Sequence, residues 1–356
     1  MKQRDYLFDN AKGLLAFLVV FAHITQHANF VSQDFVDWVN RGIYLIHMPA
    51  FIFISGYFSK KHNVKGIINL FALYALWQMV MAPLAYSFIK DIPLEKAIKP
   101  MFLPQATYWY MISLVFWRIM TPYFAKFKRP LLVSIILGLL IGLTSMNINL
   151  QFFSYSRTIA FYPFFMLGYL CTKENFYKIQ EKIKRHWGVI AFFVVIAIGI
   201  WFMYAMYPLL SKETRSMRFL VGKFQYEDYY LNPYDGIWGS AIVYAIRFVA
   251  IFLFFSLIPR TKTFLTKVGD ASLFIYLTHW FFIEYAKLHY FQNPDYSNGW
   301  AVLGFGFVAA TIYCWLFTTK PLMKLGRLLT NIRLDRFLKE DDIKVVDNSK
   351  QEVKAS

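Results

Sequence analysis

The sequence predicts an all-α integral membrane protein, a bundle of about ten transmembrane helices around a central polar cavity. Three observations carry that expectation. Of the 356 residues, 58% are hydrophobic and 20% aromatic, with a mean hydropathy of +0.40, whereas soluble chains average about 45–50% apolar. Apolar stretches recur at close to the length of about 20 residues that crosses a bilayer. Lysine and arginine, finally, crowd every second connection between those stretches.

In chain order the stretches are 13–31, 42–58, 66–89, 107–121, 131–146, 155–171, 188–208, 237–258, 271–288 and 300–319. The first exceeds a signal-peptide core and lacks a small-x-small cleavage site, so it is expected to remain in the mature chain. Pro83 interrupts the third and Pro163 the sixth, breaks that a membrane helix tolerates where neighbours satisfy the freed backbone groups. Between the seventh and eighth lies a large connection, about Leu209 to Gly236, carrying Tyr226, Tyr229, Tyr230 and Tyr234. It fits an interfacial aromatic belt, and its rings and carboxylates also suit a carbohydrate face.

Basic residues gather at Lys2 and Arg4, at Lys60, Lys61 and Lys65, at Lys126, Lys128 and Arg129, from Lys173 to Arg185, at Arg260, Lys262 and Lys267, and from Lys320 through Arg333. The alternate connections are balanced, as in Asp34, Asp37 and Arg41, or Asp91, Glu95 and Lys96. Both termini are therefore expected in the cytoplasm of a multi-pass plasma-membrane protein, a parity that requires an even number of spans. Topology accounts for the net charge of +17 better than nucleic-acid binding does, because no single face collects it. Residues 1–320 form the expected membrane domain; 321–356 form a cytoplasmic tail, partly disordered. Cys171 and Cys314 have neither disulfide nor metal-ligand spacing, and no metal site or permanently bound cofactor is expected. The oligomeric state stays open, a homodimer being one arrangement.

Ionisable groups inside a span cost about 2.5–3.5 kcal/mol each on insertion scales and so mark function by default. Asp9, Lys12, His23, Gln26 and His27 interrupt the first span. The eleven-residue step from Lys12 to His23 makes about three turns and returns to the same face roughly 16 Å along the axis. Asp9 and His27 fall near that face, giving one polar stripe that should line a cavity. His47 lies in the second span just before Pro49, while Ser55 and Gly56 look like close helix contacts. Arg118, Arg157, Arg247, His279 and Glu284 are further charged or titratable groups within spans. Arg247 has no carboxylate one turn away on its own helix, so it requires a partner from another span or an anion. No zinc signature, P-loop, dinucleotide glycine motif or nucleophile elbow occurs.

Several of these residues stand in longer motifs. Phe8-Asp9-x-x-Lys12-Gly13 with His23, Ile46-His47-Met48-Pro49 through Ser55-Gly56-Tyr57, Trp109-Tyr110, Arg157 through Tyr162-Pro163-Phe164-Phe165-x-x-Gly168-Tyr169, and Gly269 through Tyr276 to His279 follow one another along about residues 4–320. In this order they resemble the membrane acyltransferase family 3, particularly its branch related to fucose 4-O-acetylase. Relatives often place arginine at the start of the third span, where this chain has Asn69 with Lys65 nearby.

The resemblance implies an O-acyltransferase, most simply an O-acetyltransferase, moving an acyl group from cytoplasmic acyl-CoA to a glycan hydroxyl. On that reading His23 is the general base and His47 its catalytic companion. Lys12, Asp9 and Arg118 serve the CoA donor. His27, Arg157, Arg247, His279, Glu284 and Trp109 line the acceptor side or the cavity. Direct transfer and a covalent acyl-histidine relay would use the same residues. The alternative from another class is a transporter or flippase of a lipid-linked or amphiphilic solute, for which about ten spans and buried charges are equally expected.

Overall fold

Each of the ten apolar stretches overlaps helix within its described residues. The computed structural model describes residues 6–28, 34–61, 63–144, 152–205, 219–222, 226, 232–289, 298–332 and 334. Tyr229, Tyr230, Lys2, Arg4, Arg333 and the tail beyond 334 lie outside the described residues. Within them the elements are α1 (Leu7–Ala28), α2 (Asp34–Tyr57), α3 (Val64–Leu76), α4 (Ala82–Lys90), the single turn α5 (Leu94–Ala97), α6 (Trp109–Phe124), α7 (Pro130–Leu140), α8 (Tyr155–Leu170), α9 (Lys173–Lys182), α10 (Arg185–Ala205), α11 (Pro233–Phe254), α12 (Phe264–His289), α13 (Gly299–Phe317) and α14 (Lys320–Thr330). No strand occurs among the described residues.

Among the described residues five helices are long and apolar enough to cross a membrane: Leu7–Ala28, the continuous Val64–Lys90, Arg185–Ala205, Pro233–Phe254 and Gly299–Phe317. The remaining stretches form helices that are shorter, such as α7, or diluted by polar groups, such as α2 with Asn40, Arg41 and His47. Large apolar side chains cover the outside, among them Phe193, Val194, Ile198 and Trp201 on α10 and Phe307, Val308, Ile312 and Trp315 on α13. An outer surface of this kind belongs in lipid rather than water.

The prolines do not break the helices. Pro83 would leave an unpaired carbonyl one turn earlier, and the chain absorbs this in a π-helical segment, Trp77–Met81, that runs directly into α4. Pro49, Pro122 and Pro163 all lie inside continuous helices. Polar caps close other ends. Asn63, Thr172, Asn232 and Asn298 each accept a backbone N–H of the helix that follows. Lys60 donates to the carbonyls of Tyr169 (2.6 Å) and Cys171 (2.7 Å), so an ammonium group sits at the carbonyl end of α8. Partial burial lowers the pKa of that lysine.

Glycines set the closest contacts. A Cβ at Gly13 of α1 would collide with the Leu265 carbonyl of α12, and one at Gly269 of α12 with the Asp9 carbonyl of α1. The same reciprocity joins α2 to α8, where Gly56 meets the Phe165 carbonyl and Gly168 the Phe53 carbonyl. Without water to drive apolar surfaces together, membrane helices associate through such backbone approach. These contacts fix α1 and α12 as parallel neighbours, start beside start.

The structure adds one element that the hydrophobic pattern did not single out. α14 packs under the bundle, with Gly326 against the Phe274 ring and the Trp77 Nε1–H donating to Leu329 O (3.3 Å). Asn69 of α3 accepts the Leu334 N–H at 3.1 Å. It thereby ties the chain following α14 to α3.

Candidate active site

The stripe on α1 lines two adjoining cavities. The first, about 160 Å³, is walled by Lys12, Ala16 and Val19 of α1, Met48, Phe51 and Ser55 of α2, Tyr110 of α6, and Ser272 and Tyr276 of α12, with other apolar neighbours. The second, about 350 Å³, holds Val19, His23, Tyr44, His47, Met48, Trp109, Arg157, Tyr276 and Trp280. Val19, Met48 and Tyr276 belong to both walls. Lys12, Ala16, Val19 and His23 succeed one another at steps of four, three and four, so one helical face runs from the cation to the imidazole. On α12 the steps of four through Ser272, Tyr276 and Trp280 do the same.

His23 sits in a cage of rings. His279 stacks on it with centroids 5.4 Å apart, and Trp280 meets it edge-on at 5.5 Å. Its Nδ1 lies 3.3 Å from the Tyr44 hydroxyl, which donates its own proton to Gln26 Oε1 at 2.9 Å. The Tyr44 oxygen is therefore left to accept, and His23 donates from Nδ1. In the neutral imidazole that places the lone pair on Nε2. His47 and His279 obey the same logic. His47 Nδ1 lies 2.8 Å from Ile43 O and His279 Nδ1 2.7 Å from Tyr276 O, carbonyls that can only accept. The buried His279 Nε2 has no hydrogen-bond partner among the described residues. Three imidazoles thus each direct a donor at a fixed oxygen and keep the other nitrogen basic.

The remaining expected site residues separate into groups. Arg157 and Trp109 join the His23 cavity as a pair, the guanidinium 4.7 Å from the indole centroid. His27 packs against the other reach of Trp280, centroids 5.3 Å apart. Asp9 holds Lys12 in an ion pair of 3.0 Å. Arg118 does not share that pocket: it lines a separate basic one of about 270 Å³ with Ser59, Lys60, Lys61 and Asn63. Between the two, Phe8 near the start of α1 stacks on Tyr57 and meets Phe58 edge-on. Glu284 is drawn 3.0 Å from Lys90 and faces a fourth pocket.

Arg247 finds its partner on another span, as the sequence requires: the guanidinium donates to the carbonyls of Tyr44 in α2 (3.3 Å) and of Leu220 (2.6 Å), with the rings of Phe161 and Phe164 beside it. A helix pattern read along one span cannot reveal a carbonyl offered by another segment. The role is to hold the α2 backbone at Tyr44. Arg247→Ala is expected to lower stability by about 1–2 kcal/mol, the scale of interhelical hydrogen bonds in membranes. A detergent melt beside an activity assay checks this, since lost activity at unchanged stability would make the arginine functional instead.

Tyr44, Tyr276 and Trp280 were not singled out as site residues, although they shape it. Tyr44 precedes His47 by three residues on one helix face, a spacing that offered the signal. Tyr276 donates its hydroxyl proton to Thr107 O, pinning the connection before α6 to the cavity wall. Among the described residues no group of three or more His, Cys, Asp or Glu could hold a metal ion.

The family described as an acyltransferase domain matches residues 5–319. The nodulation protein NolL of Mesorhizobium japonicum is 25% identical over 299 residues, covering 77% of this chain and 75% of that protein. The nodulation protein NolL of Sinorhizobium fredii is 28% identical over 218 residues, covering 53% of this chain and 54% of that protein. No solved structure matches the chain.

Proposed function

Because the chain belongs to the acyltransferase-domain family, and so is an acyltransferase, we propose that it is a ten-span plasma-membrane O-acetyltransferase with both termini cytoplasmic. It takes the acetyl group from cytoplasmic acetyl-CoA and places it on a hydroxyl of a cell-surface or lipid-linked glycan. The observation that supports this reading is the pair of adjoining cavities running from Lys12 to His23. A slender pantetheine arm fits the narrow first cavity, with the phosphates held at the end where Lys12 and the Lys60–Lys61–Arg118 pocket collect positive charge. Family membership favours this enzyme over a transporter.

In the chemical step the acceptor hydroxyl attacks the thioester carbonyl while His23 Nε2 takes its proton, and CoA leaves as the thiolate. Tyr44 holds the tautomer that frees Nε2. On the same cavity wall, His47 accepts a sugar hydroxyl at its Nε2 and so orients the acceptor, and the Arg157 guanidinium stabilises the developing oxyanion. His279, stacked on His23, keeps that ring from turning.

Thiol release from acetyl-CoA by the purified protein, with and without glycan acceptors, tests the proposal. Lys12→Ala is expected to raise the KM for acetyl-CoA about ten-fold with kcat little changed, a charge-assisted contact being worth about 1.5 kcal/mol or more. An unaltered KM would remove Lys12 from the donor site. Absence of thiol release under every acceptor condition would overturn the enzymatic reading itself.

A further inference from the structure

The end of the bundle beyond His23 carries a pocket that the transfer chemistry does not use. It measures about 270 Å³ and is lined by Tyr86, Lys90, Lys96, Lys99, Gln105, Trp280 and Glu284, among others. Lys99, Ala106 and Trp280 also line the His23 cavity, so the two spaces adjoin. The lining brings three ammonium groups to one carboxylate, and that carboxylate is already paired with Lys90 at 3.0 Å. Gln105 is 2% exposed, and its Nε2 has no hydrogen-bond partner among the described residues. Its backbone is fixed, the N–H donating to Gln78 Oε1 at 3.0 Å. Ala106 beside it takes φ +43°, a conformation that non-glycine residues adopt only when their surroundings impose it.

A neutral sugar needs no excess of cations, and a buried amide N–H costs free energy unless something accepts from it. Phosphate and carboxylate oxygens answer both conditions. We infer that this pocket binds an anionic group of the acceptor, and that the acceptor is therefore a charged saccharide or a saccharide on a phosphate-bearing lipid carrier. The inference rests on the acyl-transfer reading for the word acceptor, but the anion site stands on its own geometry. Lys99 lies at the junction, where the anion would hold one end of the molecule while a hydroxyl reaches His23. Trp280 gives the sugar a ring face between them.

The test measures binding to the full-length protein in detergent with matched probes: a neutral oligosaccharide, the same oligosaccharide carrying a phosphate, its uronic-acid form, and a polyprenyl phosphate. At low salt, charged probes are expected to bind at least ten-fold tighter than the neutral one. That preference should fall in Lys96→Gln/Lys99→Gln, whose side chains are exposed and should not affect folding, and in Gln105→Leu. It should also weaken at high salt. The arm with the larger preference tells a carrier phosphate from a charge on the sugar. Equal affinity for neutral and charged probes, no binding of any probe, or charge preference unchanged in the lysine variant would overturn the inference. Thiol release from acetyl-CoA, measured in parallel, reports on the transfer reading separately. Charge-selective binding without thiol release sinks the enzyme and spares the anion site, and the converse result does the reverse.

Discussion

Alanine at His23 is expected to reduce acetyl transfer at least 100-fold, within the range of about 10²–10⁴ that a positioned general base contributes. The protein should still fold and still bind donor, because His23 makes ring contacts and one long hydrogen bond rather than anchoring a helix. Tyr44→Phe is the companion experiment. It removes the oxygen that accepts from His23 Nδ1 but leaves the ring in place, so the two tautomers compete and the rate should fall by a smaller factor, about ten-fold. Transfer rate and acetyl-CoA binding measured on both variants separate base chemistry from cavity shape. If His23→Ala keeps full activity while His279→Ala or His47→Ala abolishes it, the base is one of the other two imidazoles. Quenching with denaturant near neutral pH, where an acyl-imidazole survives, during turnover of labelled acetyl-CoA adds a further decision: label located on His23 would establish a covalent acyl-histidine relay, and its absence would favour direct transfer.

The positions of the helices were legible in the sequence because lipid imposes a simple rule, a run of apolar residues long enough to cross. α1 shows how far that rule reaches into the site. The step from Lys12 to His23 is a property of helix geometry alone, and both residues do lie on one cavity-lined face. What the rule misses comes from contacts between segments. Arg247 needed a partner, but only the folded chain brings Leu220 O and Tyr44 O to it. The resemblance places Arg118 with Lys12 at the donor, whereas α6 carries it to a neighbouring pocket beside the end of α2. α14 escaped notice because its apolar residues alternate with Lys320, Lys324 and Arg327, giving an amphipathic helix rather than an apolar run. Glu284 is a further such case. Its partner Lys90 follows the third apolar stretch at the end of α4, and only the packing of α4 beside α12 makes the pair.

Leucine at Gly269 or Gly168 is expected to have the largest effect on the fold. At both positions a side chain would enter the space of a backbone carbonyl on the facing helix, Asp9 O or Phe53 O respectively. A flexible side chain can move aside from such a clash, but a carbonyl moves only with its helix. The helices must therefore separate, forfeiting the van der Waals contact that membrane association depends on. Overpacking costs about 1–3 kcal/mol in ordinary cores and occasionally more, and a rigid backbone neighbour places these sites toward the upper end. Gly269→Leu and Gly168→Leu should fail to give a monodisperse peak in size-exclusion chromatography, with the alanine variants falling between them and the wild type. Gly304→Ala is the internal control, because a Cβ there meets nothing within 4 Å. The α1–α12 contact also sets the register that brings Lys12 opposite Ser272 and His23 opposite Trp280. A folded Gly269→Ala protein should therefore lose transfer rate out of proportion to its loss of stability. Wild-type transfer and melting temperature in Gly269→Leu would show that the two helices do not need this approach, and the assembly of the cavity from α1 and α12 would have to be abandoned.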